Sequence, residues 1–191
     1  MPRRTDTRDR MLSTAAELFH TQGYHATGLN QLLSAGAAPK GSLYFHFPGG
    51  KEQLAAEALA ISGGRLRDAL ADVLDRANGL GAAVEMMIDF LATTLEDSDF
   101  QRGCPLSTVA LDAAGSEPIR QACVEGFGSW QALLENALTA EGVAADRAES
   151  LAVTTLAAVE GALLLAKTRR DSAPLRAVAA HLRETVEREL S

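Results

Sequence analysis

Apolar residues recur every third or fourth position along nearly the whole chain and nowhere alternate convincingly with polar ones, so the sequence predicts helices and no sheet. Met11, Leu12, Ala15, Ala16 and Phe19 form one stripe between Thr5 and Gln22, and Gly23 offers a left-handed stop after it. Thr27 is placed to cap a short second helix through Leu29, Leu32 and Leu33, which runs out at Gly36. Pro39, tolerated in a first helical turn, opens a third helix through Leu43, Tyr44 and Phe47 until Pro48-Gly49-Gly50 breaks it. With Gly50 as its cap, a long fourth helix runs over 51–76 and buries Leu54, Ala58, Leu66, Ala69, Leu70, Val73 and Leu74, and Asn78-Gly79 closes it. Further helices are predicted over 81–96, 105–114, 118–140, 146–170 and 174–190, with a polar connector at 97–103. The expected fold is all-α with nine helices.

Two short helices joined by a tight turn of small residues, after a longer helix, make a unit of helix-turn-helix geometry whose last helix projects outward. The side chains there suit nucleic acid: Lys40 for a phosphate or guanine, Gly41 for close backbone approach, Ser42 for a hydrogen bond, Tyr44 and His46 for phosphates or a thymine methyl. Thr27 and Pro39 complete the set at the helix starts, and Lys51 sits at the N-terminus of the fourth helix, where backbone N–H groups favour an anion. The competing reading is a plain helical subdomain with Tyr44, Phe45 and Phe47 in its core; Leu43 and Phe47, four apart, belong to the core on either reading.

Charge sharpens the choice. The chain carries a net −7, yet residues 1–51 hold Arg3, Arg4, Arg8, Arg10, Lys40 and Lys51 against Asp6, Asp9 and Glu17, a local +3 that leaves −10 for the rest. A basic head on an acidic body is the pattern of a DNA reader with a second, non-DNA domain, chance clustering at a solvated terminus being the alternative. No apolar run approaches the roughly 20 residues of a membrane span, and no apolar segment follows Arg3 and Arg4, so a cytoplasmic protein with no membrane partner is expected. Cys104 and Cys123 lack zinc-type spacing; Cys104 before Pro105 is either an oxidisable thiol at a helix start or, more simply, a buried one. No catalytic motif appears, His20, His25, His46 and His181 have no ligand-like spacing, and neither metal nor cofactor is expected.

The segment KGSLYFHFPGGKEQL from Lys40 to Leu54, within a match over about residues 8–60, resembles the signature of the tetracycline-repressor (TetR) family of bacterial transcription regulators. The stretch GCPLSTVALDAAGSEPIRQACVEGFGSWQALLENAL from Gly103 is similar to that family's lincomycin-resistance-repressor (LmrA-like) subgroup. The resemblance implies a helix-turn-helix domain over residues 1–50 and a helical effector-binding and dimerisation domain over 51–191, acting together as a repressor that a small apolar effector releases from double-stranded operator DNA. One departure stands out: the glycine the family usually has two residues before the proline is Ala37 here, with Gly36 one position early, and a left-handed Ala37 would be strained.

For the second domain, the last two helices supply Leu151, Leu156, Val159, Leu163 and Leu164, then Leu175, Val178, Leu182 and Val186, a candidate homodimer interface if these stripes do not all serve the subunit's own core. Leu66, Met86, Met87, Phe90, Leu111, Phe127 and Trp130 are candidates to line an apolar effector pocket. Gly63-Gly64 marks either a pivot in the fourth helix or a close packing point. A helical small-molecule- or partner-binding protein without DNA activity is the alternative function, and the Tyr44–Lys51 block tells against it.

Overall fold

The computed structural model describes residues 4–39, 41–113 and 115–191. Lys40 therefore lies outside the described residues. Among those described there are nine helices and no strand: α1 (Arg4–Gln22), α2 (Leu29–Ala35), α3 (Ser42–His46), α4 (Gly50–Arg76), α5 (Leu80–Asp97), α6 (Ser107–Ala113), α7 (Glu117–Ala140), α8 (Ala145–Arg169) and α9 (Ala173–Glu189). The long helices fall within a residue or two of the expected bounds.

The short ones differ for local reasons. α2 is capped by Gly28 in extended conformation, not by Thr27, because the Thr27 hydroxyl points inward and donates to Gly23 O at 2.7 Å. α3 starts at Ser42 instead of Pro39. The Ser42 N–H and hydroxyl both donate to Pro39 O, at 2.9 and 2.7 Å, so the chain makes a turn before it makes a helix.

Packing divides the chain into two compact units. One comprises the chain through Gly64 with Cys104–Phe127, and the other Arg65–Gly103 with Gly128–Ser191. In the first, Met11, Leu12, Ala15 and Phe19 of the expected α1 stripe are buried, Ala16 being half-buried, with Leu32 and Leu33 of α2, Leu54 and Ala58 of α4, Leu106 just before α6 and Val109 within it. Leu106 fills the space over Gly126, where a Cβ would come within 2.4 Å of it, so this contact needs glycine. Gly63 packs on the same leucine at ordinary van der Waals distance, and α4 passes through Gly63-Gly64 without a break. Cys104 and Cys123 are buried, and burial pushes the Cys123 thiol up, which favours the unreactive form.

In the second unit α9 packs on α5 and α8. A Cβ on Gly81 would stand 3.2 Å from Glu187 Oε1, and Arg183 reaches Glu85 at 3.3 Å across the same seam. The polar connector is held in place: Asp99 and Phe100 both take positive φ, 52° and 60°, Arg170 pairs with Asp99 and lies over the Phe100 ring, and Lys167 donates to Gln101 O at 2.7 Å.

This packing uses up part of the stripe expected to meet a partner. Leu151, Leu163, Leu175, Leu182 and Val186 are buried in the subunit's own core, while Val153, Leu164 and Leu165 of α8 are exposed. α8 also revises the hydropathy reading. An 18-residue window within it has mean hydropathy 1.5, so by length and composition it could cross a membrane, and only 28% of that window is buried within the subunit.

Candidate nucleic-acid interface

The first unit builds a rigid frame around a five-residue helix. Gly23 closes α1 at φ +82°, its N–H donating to Phe19 O at 3.0 Å. The following turn is anchored from two sides. Lys51 Nζ donates to Tyr24 O at 2.6 Å and lies 4.0 Å from the Tyr24 ring centroid, and the His25 N–H donates to Asp112 Oδ2 of α6 at 2.5 Å. Burial lowers the Lys51 pKa, and the nearby Asp112 charge opposes that shift.

The turn between α2 and α3 explains the departure at Ala37. At Gly36 a Cβ would sit 3.1 Å from Leu32 O and 3.6 Å from Met11 Cα, so a side chain would be tight where α2 ends against α1. The left-handed residue then falls one position later, on Ala37 at φ +47°, while the Ala38 N–H returns to Leu33 O at 2.9 Å. The anticipated strain is present. Ala37→Gly is accordingly expected to stabilise the protein by about 0.5–1 kcal/mol, the relieved strain exceeding the added freedom of the unfolded chain. Thermal unfolding by circular dichroism checks this; a midpoint that falls would contradict it.

α3 then presents two faces. Leu43 and Phe47 are 0% exposed on the inner side. On the outer side Tyr44 and Phe45 are 63% and 58% exposed. Gly50 lies beside the Tyr44 ring. Its φ is +66°, and a Cβ there would meet Tyr44 Cε1 at 3.3 Å, so glycine is needed both for the backbone and for the ring beside it. Gln53 Oε1 accepts the Gly49 N–H at 2.8 Å, a side-chain cap for the start of α4.

The expected contact residues are thus distributed unevenly. Tyr44, Pro39 and Gly41 are exposed, His46 is half-buried with its ring 5.0 Å from that of Phe45, and the Ser42 hydroxyl is turned onto Pro39. Thr27 is fully buried, so it secures the turn and has no surface to offer a ligand. The Lys51 ammonium faces Tyr24. Phe45 is the outward residue the sequence reading missed, although its position two residues after buried Leu43, about 200° around the helix, carried the signal.

Both halves of the chain match known families. Residues 11–58 match the N-terminal model of the bacterial regulatory proteins of the tetR family, and residues 81–181 match the C-terminal domain of LmrA/YxaF-like transcriptional regulators. The chain belongs to the TetR family. It is a helix-turn-helix transcriptional regulator, not an enzyme. It is 37% identical over 180 residues to the regulator YxaF of Bacillus subtilis, covering 94% of each chain, and 37% identical over 171 residues to LmrA of the same organism, covering 89% of this chain and 91% of that one. Among solved structures it resembles a cysteine mutant of the TetR-family regulator CifR complexed with 26-bp double-strand operator DNA, with TM-score 0.72, 29% identity and coverage of 95% and 94% of the two chains.

The second unit of this TetR-family chain contains a small apolar cavity of about 30 Å³, lined by Leu74, Leu80, Ala83, Val84, Met87, Leu134, Ala137, Leu138, Thr155 and Val186. Of the expected pocket residues Met87 lines it. Met86 and Phe90 are exposed on the outer face of α5, Leu66 is half-buried and Trp130 is buried. Leu111, 82% exposed on α6, and half-buried Phe127 belong to the first unit. α5 buries Ala83, Met87 and Ile88 with the neighbouring elements, which turns Met86 about 100° away from the cavity.

Proposed function

We propose that this regulator is a cytoplasmic repressor that reads double-stranded operator DNA through α3, works as a homodimer, and is released by a small apolar effector. The carrying observation is the split of α3, with Leu43 and Phe47 wholly buried and Tyr44 and Phe45 held out on a braced frame. A side chain needed only for packing is not exposed in this way, and the outer face of such a helix is the surface that enters a major groove. The CifR complex with operator DNA supports the reading. On this proposal residues 1–50 carry DNA reading and 51–191 carry effector binding and dimerisation.

Tyr44→Ala tests it. Loss of a phenol contact in each half-site, at about 1–2 kcal/mol per contact, should weaken operator binding at least about thirtyfold in a gel shift while leaving the unfolding midpoint unchanged. Unaltered binding by Tyr44→Ala would remove Tyr44 from the reading surface, and no shift of promoter DNA by the wild type would favour a partner-binding protein without DNA activity.

Dimerisation is assigned to α8. Val153, Ala157, Gly161, Leu164 and Thr168 recur at helical spacing and are all exposed, and no neighbouring atom lies within 4 Å of a Cβ built on Gly161. A helix this apolar and this little buried gains most by pairing with its symmetry mate. The effector site is assigned to the cavity beside Met87. Its volume is far below the several hundred Å³ of an ordinary ligand pocket, so an effector must displace the leucines around it, and the Met87 side chain is adaptable enough to follow.

A further inference from the structure

The chemistry of the outer face of α3 points past DNA binding in general to the feature of DNA that is read. Building on the DNA-reading proposal above, we infer that Phe45 is a specificity-determining residue that recognises the C5-methyl group of a thymine in each half-site.

Phe45 is 58% exposed on the five-residue helix, opposite the fully buried Leu43, with its ring 5.0 Å from the His46 ring in an edge-on arrangement. A phenyl ring neither donates nor accepts a conventional hydrogen bond, so phosphate oxygens and the polar base edges give it nothing. In the major groove the apolar feature that separates one base pair from another is the thymine methyl. Tyr44 next to it has a hydroxyl for phosphate or base edge, so the two outward rings divide the work by chemistry.

The described cations of the head have partners of their own. Of the cations that the sequence places in residues 1–51, Arg8 pairs with Glu57 and lies over the Phe47 ring, Arg10 donates to Gly36 O and Thr7, and Lys51 donates to Tyr24 O. The whole chain is at −7. Phosphate contacts position a protein on DNA without telling one base from another, so selectivity falls to side chains such as Phe45 that face the base edges.

The test uses the full-length protein and duplexes enriched by it from a random-sequence pool. Each thymine of an enriched half-site is replaced in turn by deoxyuridine, which removes the methyl group and keeps the pairing edge. Wild type should lose about fourfold in affinity at one position per half-site, the worth of one methyl group taken out of water, and about fifteenfold when both half-sites are changed. Phe45→Ala should bind thymine and uracil duplexes equally at that position, and Phe45→Leu should keep part of the preference. Circular dichroism should show the same unfolding midpoint for all three proteins; were the alanine variant to unfold, the leucine variant alone decides. Indifference of the wild type to every uracil replacement, or an unchanged thymine preference in Phe45→Ala, overturns the role of Phe45 and leaves DNA reading intact. Failure to enrich any duplex overturns both.

Discussion

Phe47→Ala should destabilise the protein by about 3–5 kcal/mol and abolish DNA binding. Phe47 is 0% exposed, its N–H closes α3 by donating to Leu43 O at 2.7 Å, and its carbonyl accepts the Gly50 N–H at 2.8 Å, so the ring and the turn into α4 depend on one residue. The Arg8 guanidinium lies 5.2 Å from the ring centroid, a further contact that alanine forfeits. Domains are commonly stable by only about 5–15 kcal/mol, so the loss is a large fraction of the total. Denaturant unfolding followed by circular dichroism should show a lower midpoint for Phe47→Ala. The same experiment on Tyr44→Ala should show none, and equal midpoints for Phe47→Ala and wild type would contradict the assignment of the two faces.

Leu164→Lys should convert the proposed dimer into a folded monomer and weaken operator binding by about a hundredfold or more. Leu164 is 59% exposed in the subunit, so the substitution removes nothing from the internal core. The new ammonium lies four residues after Glu160, an order that suits an isolated helix, so the fold should persist. At a symmetric interface it brings two like charges into an apolar seam. The effect on DNA is large because two linked heads gain about 10²–10⁴ in avidity over one, without any additional contact. Sedimentation of the variant as a dimer, with DNA binding intact, would move the interface away from α8.

Much of this architecture was legible because helix ends carry their own chemistry. Gly23 and Gly142 stop α1 and α7 at positive φ, and the apolar stripe of α1 names the buried face of the first unit. Ala37 was legible as strain before any coordinates, since the family glycine is absent where the turn needs φ above zero. The misplacements have two physical origins, local hydrogen bonds that compete with helix caps and packing between elements distant in sequence. Thr27 has the chemistry of a helix cap, yet its hydroxyl is drawn inward by Gly23 O of the preceding turn and Leu18 O of α1. Met86 and Met87 are equivalent to a composition argument, and the packing around α5 decides which one meets the cavity. The stripe of α9 satisfies every sequence criterion for an interface, but Gly81 lets α5 come close enough to cover it, which leaves α8 to carry the outward apolar face.

The most direct test of a dimeric DNA reader is the mass of its complex, measured by sedimentation with an enriched duplex, taken together with the affinity after one half-site is scrambled. The account predicts two chains on each duplex and a loss of affinity of at least about a hundredfold on scrambling. A single chain bound at full affinity, or equal affinity for intact and scrambled duplexes, would contradict it.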